Sequence, residues 1–110
     1  MNTNTTNKKR TVTCGDIRAH IDPAQAKELE YLARWHADLQ YIKERFGASD
    51  PECEVSRKSI EFAFKQLDAL CVPYWLQNAA LAFSEDWRRY KSTDLWSYLR
   101  RKPGYSVLEG

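Results

Sequence analysis

The sequence is poor in the residues on which most small catalytic and secreted folds depend. Its 110 residues include four glycines, four prolines, three cysteines and two histidines. The glycines are isolated, which excludes a glycine-rich phosphate loop, and no Gly-x-Ser-x-Gly, His-Glu-x-x-His or Cys-x-x-Cys occurs. Cys14, Cys53 and Cys71 are odd in number and far apart, the pattern of reduced thiols in a cytoplasmic protein, and no disulfide is expected. Long apolar runs are also missing. The most apolar stretch, Leu70 to Phe83, is 14 residues long and contains Pro73, Gln77 and Asn78, short of the ~20 residues that a membrane crossing takes. No apolar run follows Lys8, Lys9 and Arg10, so a secretory signal is not expected either.

An excess of one charge is absent overall but present locally. Seventeen Lys and Arg stand against fifteen Asp and Glu, a net charge of +2. Residues 1–12 carry +3, residues 13–86 carry −5, and residues 87–104 carry +5. Basic ends around an acidic middle can set the sign of a partner even when the total is near neutral. A hydrophobic fraction of 43% and an aromatic fraction of 13% are too high for a disordered chain. At this length a single domain is expected.

Helical signals dominate what is present. Asp22-Pro23 joins a capping acid to a proline at the first helical position. From there Leu32, Trp35, Leu39, Ile42 and Phe46 recur at steps of three and four, up to a terminating Gly47. Asp50-Pro51 repeats the start signal, and Ile60, Phe64, Leu67 and Cys71 draw a second stripe that Pro73 stops or kinks near Val72. Leu76, Ala80, Phe83, Trp87 and Tyr90 continue an apolar face through a third helix. Ser92 or Thr93 caps a fourth, Asp94 to Lys102, with Asp94 in its first turn, closed by Pro103-Gly104. Thr13-Cys14-Gly15-Asp16 resembles a weak capping box that would open one or two turns ending near His20. With little two-residue alternation, strands are not expected. The reading is all-α: a small three- or four-helix bundle, with a disordered polar arm over residues 1–12, one helical domain over residues 13–104 and a short tail over residues 105–110.

Candidate chemistry is sparse. His20, His36 and Cys14 have no spacing that puts them on one helical face, and a metal site would need further ligands from distant parts of the chain. Glu52 with Glu54, and Glu85 with Asp86, point in different directions on a helix and fit solvated faces better than an acid–base pair. No enzyme activity, cofactor or metal is expected. One constellation stands out: Trp87-Arg88-Arg89-Tyr90-Lys91, followed by Trp96, Tyr98, Arg100, Arg101 and Lys102, places six cations and four large aromatics in 16 residues. Arg, Tyr and Trp dominate protein-interface hot spots, and the same types bind phosphates and stack on bases. Core packing plus a helix-end charge bias would also produce this pattern. Arg88, Arg89, Tyr90, Lys91, Tyr98, Arg100, Arg101 and Lys102 are the expected partner-binding residues. The function expected of them is stoichiometric binding to a larger protein or complex, as an adaptor, inhibitor or assembly factor. The alternative is a nucleic-acid-binding accessory protein without sequence readout. Tyr31 and Tyr41 lie off the main stripe of the first helix, about 80° apart, and mark a further surface for self-association or another protein.

Overall fold

The computed structural model describes residues 9–110. The element order is β1 (Arg10–Cys14), β2 (Ile17–Ile21), α1 (Pro23–Phe46), α2 (Pro51–Ala69), α3 (Tyr74–Ser84), α4 (Trp87–Ser92), α5 (Leu95–Arg101) and β3 (Tyr105–Glu109). Among the described residues no helix is long and apolar enough to cross a membrane. The three cysteines are free thiols.

Local chemistry starts and stops the helices. Asp22 accepts from the Gln25 N–H at 2.8 Å, and the Gln25 side chain accepts from the Asp22 N–H at 2.9 Å. Such a capping box contributes about 1 kcal/mol. Asp50, Asp86 and Asp94 cap α2, α4 and α5 by accepting from Glu52, Arg88 and Ser97 N–H groups. The α2 helix ends without glycine. Cys71 takes φ +59°, its N–H donates to Asp68 O, and the Val72 N–H reaches back to Leu67 O. This is the Schellman arrangement, with a cysteine where glycine is usual. The Gln25 side chain also donates to Leu70 O at 2.8 Å, tying the start of α1 to the end of α2 and fixing the antiparallel hairpin.

A three-stranded antiparallel sheet, order β2-β1-β3, corrects the all-α expectation. Its hairpin turns on Gly15-Asp16, with Cys14 opposite Ile17 and Gly15 at φ +62°. A glycine at positive φ interrupts a helix and suits a two-residue hairpin, so the turn of helix read from Thr13 does not form. Two strands alone are marginal in water. The third is supplied by residues 105–109, beyond a turn in which Tyr105 N–H donates to Lys102 O and Gly104 has φ +86°. This is a type II turn with Pro103 and Gly104 in their favoured places. Arg10–Val12, read as part of the arm, therefore lies in the central strand, and the tail forms an edge strand; residues 1–8 of the arm lie outside the described residues.

The sheet turns Val12, Ala19, Ile21 and Val107 onto a core shared with Leu29 and Leu32 of α1, Leu76 and Phe83 of α3, and Leu95, Trp96 and Leu99 of α5. Fully burying a Leu, Ile or Phe contributes about 1.5–3 kcal/mol relative to exposure. Thr11, Thr13, Arg18, His20, Ser106 and Leu108 take the opposite face. The expected third helix is interrupted at Glu85 and Asp86 and becomes α3 and α4, giving five helices among the described residues. Arg89 makes the break possible: its Nε donates to Phe83 O at 3.0 Å and its Nη2 to Ala82 O, satisfying carbonyls that a continuous helix would have used.

Candidate interaction surface

Four of the eight expected contact residues meet in one open cleft. Arg89 and Ser92 of α4, Thr93, Tyr98 and Arg101 of α5, and Lys102 with Pro103 enclose about 550 Å³. The Tyr98 ring organises it. The Arg89 guanidinium carbon stands 5.0 Å from the ring centroid and Lys102 Nζ 5.5 Å. Lys102 Nζ also donates to the Tyr98 hydroxyl at 3.5 Å and lies 5.6 Å from the Tyr105 ring. The ring is fixed from below by Phe83, whose centroid is 5.2 Å away. Among the described residues no carboxylate lines this cleft. A rigid tyrosine flanked by cations suits an anionic group carried on an apolar or extended segment. Ser92 and Thr93 add hydroxyls that the sequence had suggested only as helix caps.

The other four residues are directed elsewhere. Arg88 forms a two-pronged ion pair with Glu44 of α1 and stacks 4.4 Å from the Trp87 ring. That pairing holds the exposed Glu44 carboxyl below its usual range and raises Arg88, the direct hydrogen bond being the main cause in both. Arg100 pairs with Glu109 of β3. Tyr90 packs on Phe83 at 5.8 Å, and burial raises its phenol above the usual value. Lys91 lies on the Tyr41 side of α4, in a separate depression with Asp38 and Trp87. Burial pushes the Asp38 carboxyl up, against the opposing pull of Arg34 and Lys91. Of the six cations, Arg88 and Arg100 are paired with carboxylates and Arg89 with backbone carbonyls. The field at this end is accordingly weaker than its composition implies.

The remaining candidates do not converge. His20 and Cys14 take opposite faces of the sheet, since Thr11 is His20's partner and Cys14 is three residues along the same strand. His20 Nδ1 lies 3.2 Å from Thr11 Oγ1. His36 is half-buried: Ser84 Oγ donates to Ala80 O at 2.8 Å, so the proton between His36 Nδ1 and Ser84 Oγ, 2.9 Å apart, belongs to the histidine. Its Nε2 then accepts from Gln40 Nε2 at 3.2 Å. Burial holds its pKa below 6.5, outweighing the upward pull of Glu85. Asp86 is a helix cap, and Glu54 pairs with Arg57 at 3.6 Å. Among the described residues no three His, Cys, Asp or Glu side chains cluster as metal ligands.

Two features were not singled out from the sequence. Arg10 is only 5% exposed, with its guanidinium carbon 4.4 Å from the Trp96 ring centroid. Its Nε and Nη1 find no hydrogen-bond partner among the described residues, and the Trp96 indole N–H donates instead to Glu30 at 2.6 Å. The second is a groove of about 530 Å³ between α1 and α2, with Tyr31 and Trp35 on one wall and Phe62 on the other. Phe62 lies off the second apolar stripe as Tyr31 lies off the first, and that displacement was its sequence signal. Tyr41, by contrast, is covered by Trp87, edge to face at 4.9 Å. No protein family model matches the chain, and neither curated proteins nor solved structures provide a match.

Proposed function

We propose that the protein is a small, non-enzymatic binding module that engages an acidic segment of a larger protein through the cleft between α4, α5 and the turn before β3. It would act stoichiometrically, as an adaptor, inhibitor or assembly factor in the cytoplasm. The observation that carries this reading is the Tyr98 ring flanked by Arg89 and Lys102 in an open cleft without a carboxylate. Arg101 extends the cationic rim, and a carboxylate docking there would gain charge-assisted hydrogen bonds over an aromatic floor. A duplex-sized phosphate track is less well served, because Arg88 and Arg100 are already paired with Glu44 and Glu109.

The test is affinity capture with the full chain, comparing the wild type with Arg101→Glu/Lys102→Glu, with and without nuclease and at low and high salt. A discrete protein that survives nuclease, is retained less well as salt screens the cationic rim and is lost with the double variant is the expected result. Nucleic acid in the captured material, with every companion protein lost on nuclease treatment, would replace this reading with nucleic-acid phosphate binding. Capture unchanged by the double variant would remove the cleft from consideration.

A further inference from the structure

The cleft between α4, α5 and the turn before β3 holds a surplus of positive charge and of hydrogen-bond donors, and that surplus bears on the kind of anion it takes. Arg89, Arg101 and Lys102 all line it, and among the described residues no carboxylate does. A single Asp or Glu from a partner would leave two of the three cations without a counterion. The donors exceed a carboxylate's needs as well. Arg89 donates from Nε to Phe83 O and from Nη2 to Ala82 O, which anchors its guanidinium and leaves Nη1 over. Lys102 Nζ donates to the Tyr98 hydroxyl oxygen at 3.5 Å, so the phenol proton is left for another acceptor. Arg101 is exposed, and Thr93 adds a further hydroxyl to the lining. A carboxylate offers two oxygens and one charge, whereas a phosphomonoester offers three oxygens and about −1.5 to −2 charges at pH 7.

We infer that the anion recognised in this cleft is a phosphomonoester, the phosphorylated hydroxyl side chain of a partner segment. This rests on the proposal that the cleft is the contact for an acidic segment, and it names the chemistry of that segment's anion. Arg101 and Lys102 neutralise the phosphoryl charge, with Arg89 as a third cation held in place by its two carbonyls. The Tyr98 and Thr93 hydroxyls supply neutral donors to the remaining oxygen sites, and charge-assisted bonds of this kind are about twice as strong as neutral ones. The Tyr98 ring and Pro103 offer apolar contact to the chain on either side of the phosphate. A nucleic-acid backbone is a poorer match. Its diesters carry one charge each and repeat along a track, while Arg88 and Arg100, the cations that would prolong such a track, are paired with Glu44 and Glu109.

Fluorescence polarisation of the full chain with fluorescein-labelled heptapeptides tests this. The peptides differ only at the central residue, phosphoserine, glutamate or serine, on an alanine and leucine background, and a single-stranded heptanucleotide is the fourth probe. The phosphoserine peptide should bind about tenfold tighter than the glutamate peptide, and the serine peptide should not bind. Arg101→Ala, at an exposed position, should weaken the phosphoserine complex while the far-ultraviolet dichroism stays that of the wild type, and Arg101→Glu/Lys102→Glu should abolish it. Acidity gives a second signature. Arginine, lysine and tyrosine keep their charge between about pH 7.5 and pH 5.5, whereas a phosphomonoester loses most of its second charge there, so its affinity should fall about fourfold while that of glutamate holds. Equal affinity for phosphoserine and glutamate would overturn the inference and leave the acidic-segment proposal standing. Phosphoserine bound no better than serine, or bound equally by the double variant, would also overturn it, and the capture experiment would then decide the proposal beneath it. A heptanucleotide bound more tightly than the phosphoserine peptide would overturn both.

Discussion

The α1–α2 hairpin and the α4–α5 end use the same residue types in opposite ways. In the hairpin, Phe62 and Tyr31 stand outward, and Glu28 and Lys58 remain without ion pairs among the described residues. At the other end Tyr90 and Tyr98 both pack on Phe83 of α3, while Arg88, Arg89 and Arg100 are occupied by Glu44, backbone carbonyls and Glu109. The segment richer in aromatics and cations therefore offers less free surface than its composition implies, because short helices need side chains to hold them. A longer helix spreads the cost of nucleation over more hydrogen bonds and is held by one packed face, which leaves side chains on its other faces free.

The sharpest test of this contrast pairs two phenylalanines. Phe83→Ala removes a ring that is 1% exposed and should cost about 3–5 kcal/mol, read by urea denaturation followed through tryptophan fluorescence. Phe62→Ala should shift the same curve by less than about 0.5 kcal/mol. Similar losses for the two would break the distinction between cement and display. Two arginines give the next comparison. Arg89→Ala should cost about 1–2 kcal/mol, because two α3 carbonyls lose charged donors, whereas Arg101→Ala should leave stability within about 0.5 kcal/mol and reduce partner capture.

A smaller gain is expected at the end of the hairpin. Cys71→Gly relieves a left-handed non-glycine residue, and a stabilisation of about 0.5–1 kcal/mol should appear as a later denaturation midpoint. The subtlest effect lies at the seam where α1 meets α3. His36 is held below 6.5 by burial, so the unfolded chain binds its proton more readily than the folded one. Stability from this group is complete above about pH 6.5 and declines as pH falls below it. His36→Asn should flatten the fall in stability between about pH 7 and pH 5, measured as the difference between the two proteins' denaturation midpoints. Parallel curves would show that the histidine does not contribute.

The helices were legible because their signals are local. Asp22-Pro23 and Asp50-Pro51 began the two long ones where the capping acids stand in the structure, and Pro73 separated α2 from α3; α5 is capped by Asp94 itself, one or two residues beyond the Ser92 or Thr93 that the sequence suggests. Some of the sheet is also present in the sequence: Thr11-Val12-Thr13 is a β-branched run, and Gly15-Asp16 is a hairpin turn, both too short to outweigh the helical signals around them. Half of the expected binding residues, Arg89, Tyr98, Arg101 and Lys102, gather in the cleft. Arg88, Arg100 and Tyr90 lie outside it because their partners, Glu44, Glu109 and Phe83, belong to other elements, and Lys91 lies on the Tyr41 side of α4.

By itself, then, the sequence determined where the two long helices begin, most of the face that each turns inward and which familiar catalytic motifs are missing, since caps, periodicity and residue type act within one or two turns of chain. Tertiary structure alone decided that residues 105–109 pair with residues 10–14, that Arg88 meets Glu44 of α1 and that the Trp96 indole reaches Glu30. Each of these joins groups remote along the chain. Their proximity depends on how the whole core closes, which no short window of sequence contains.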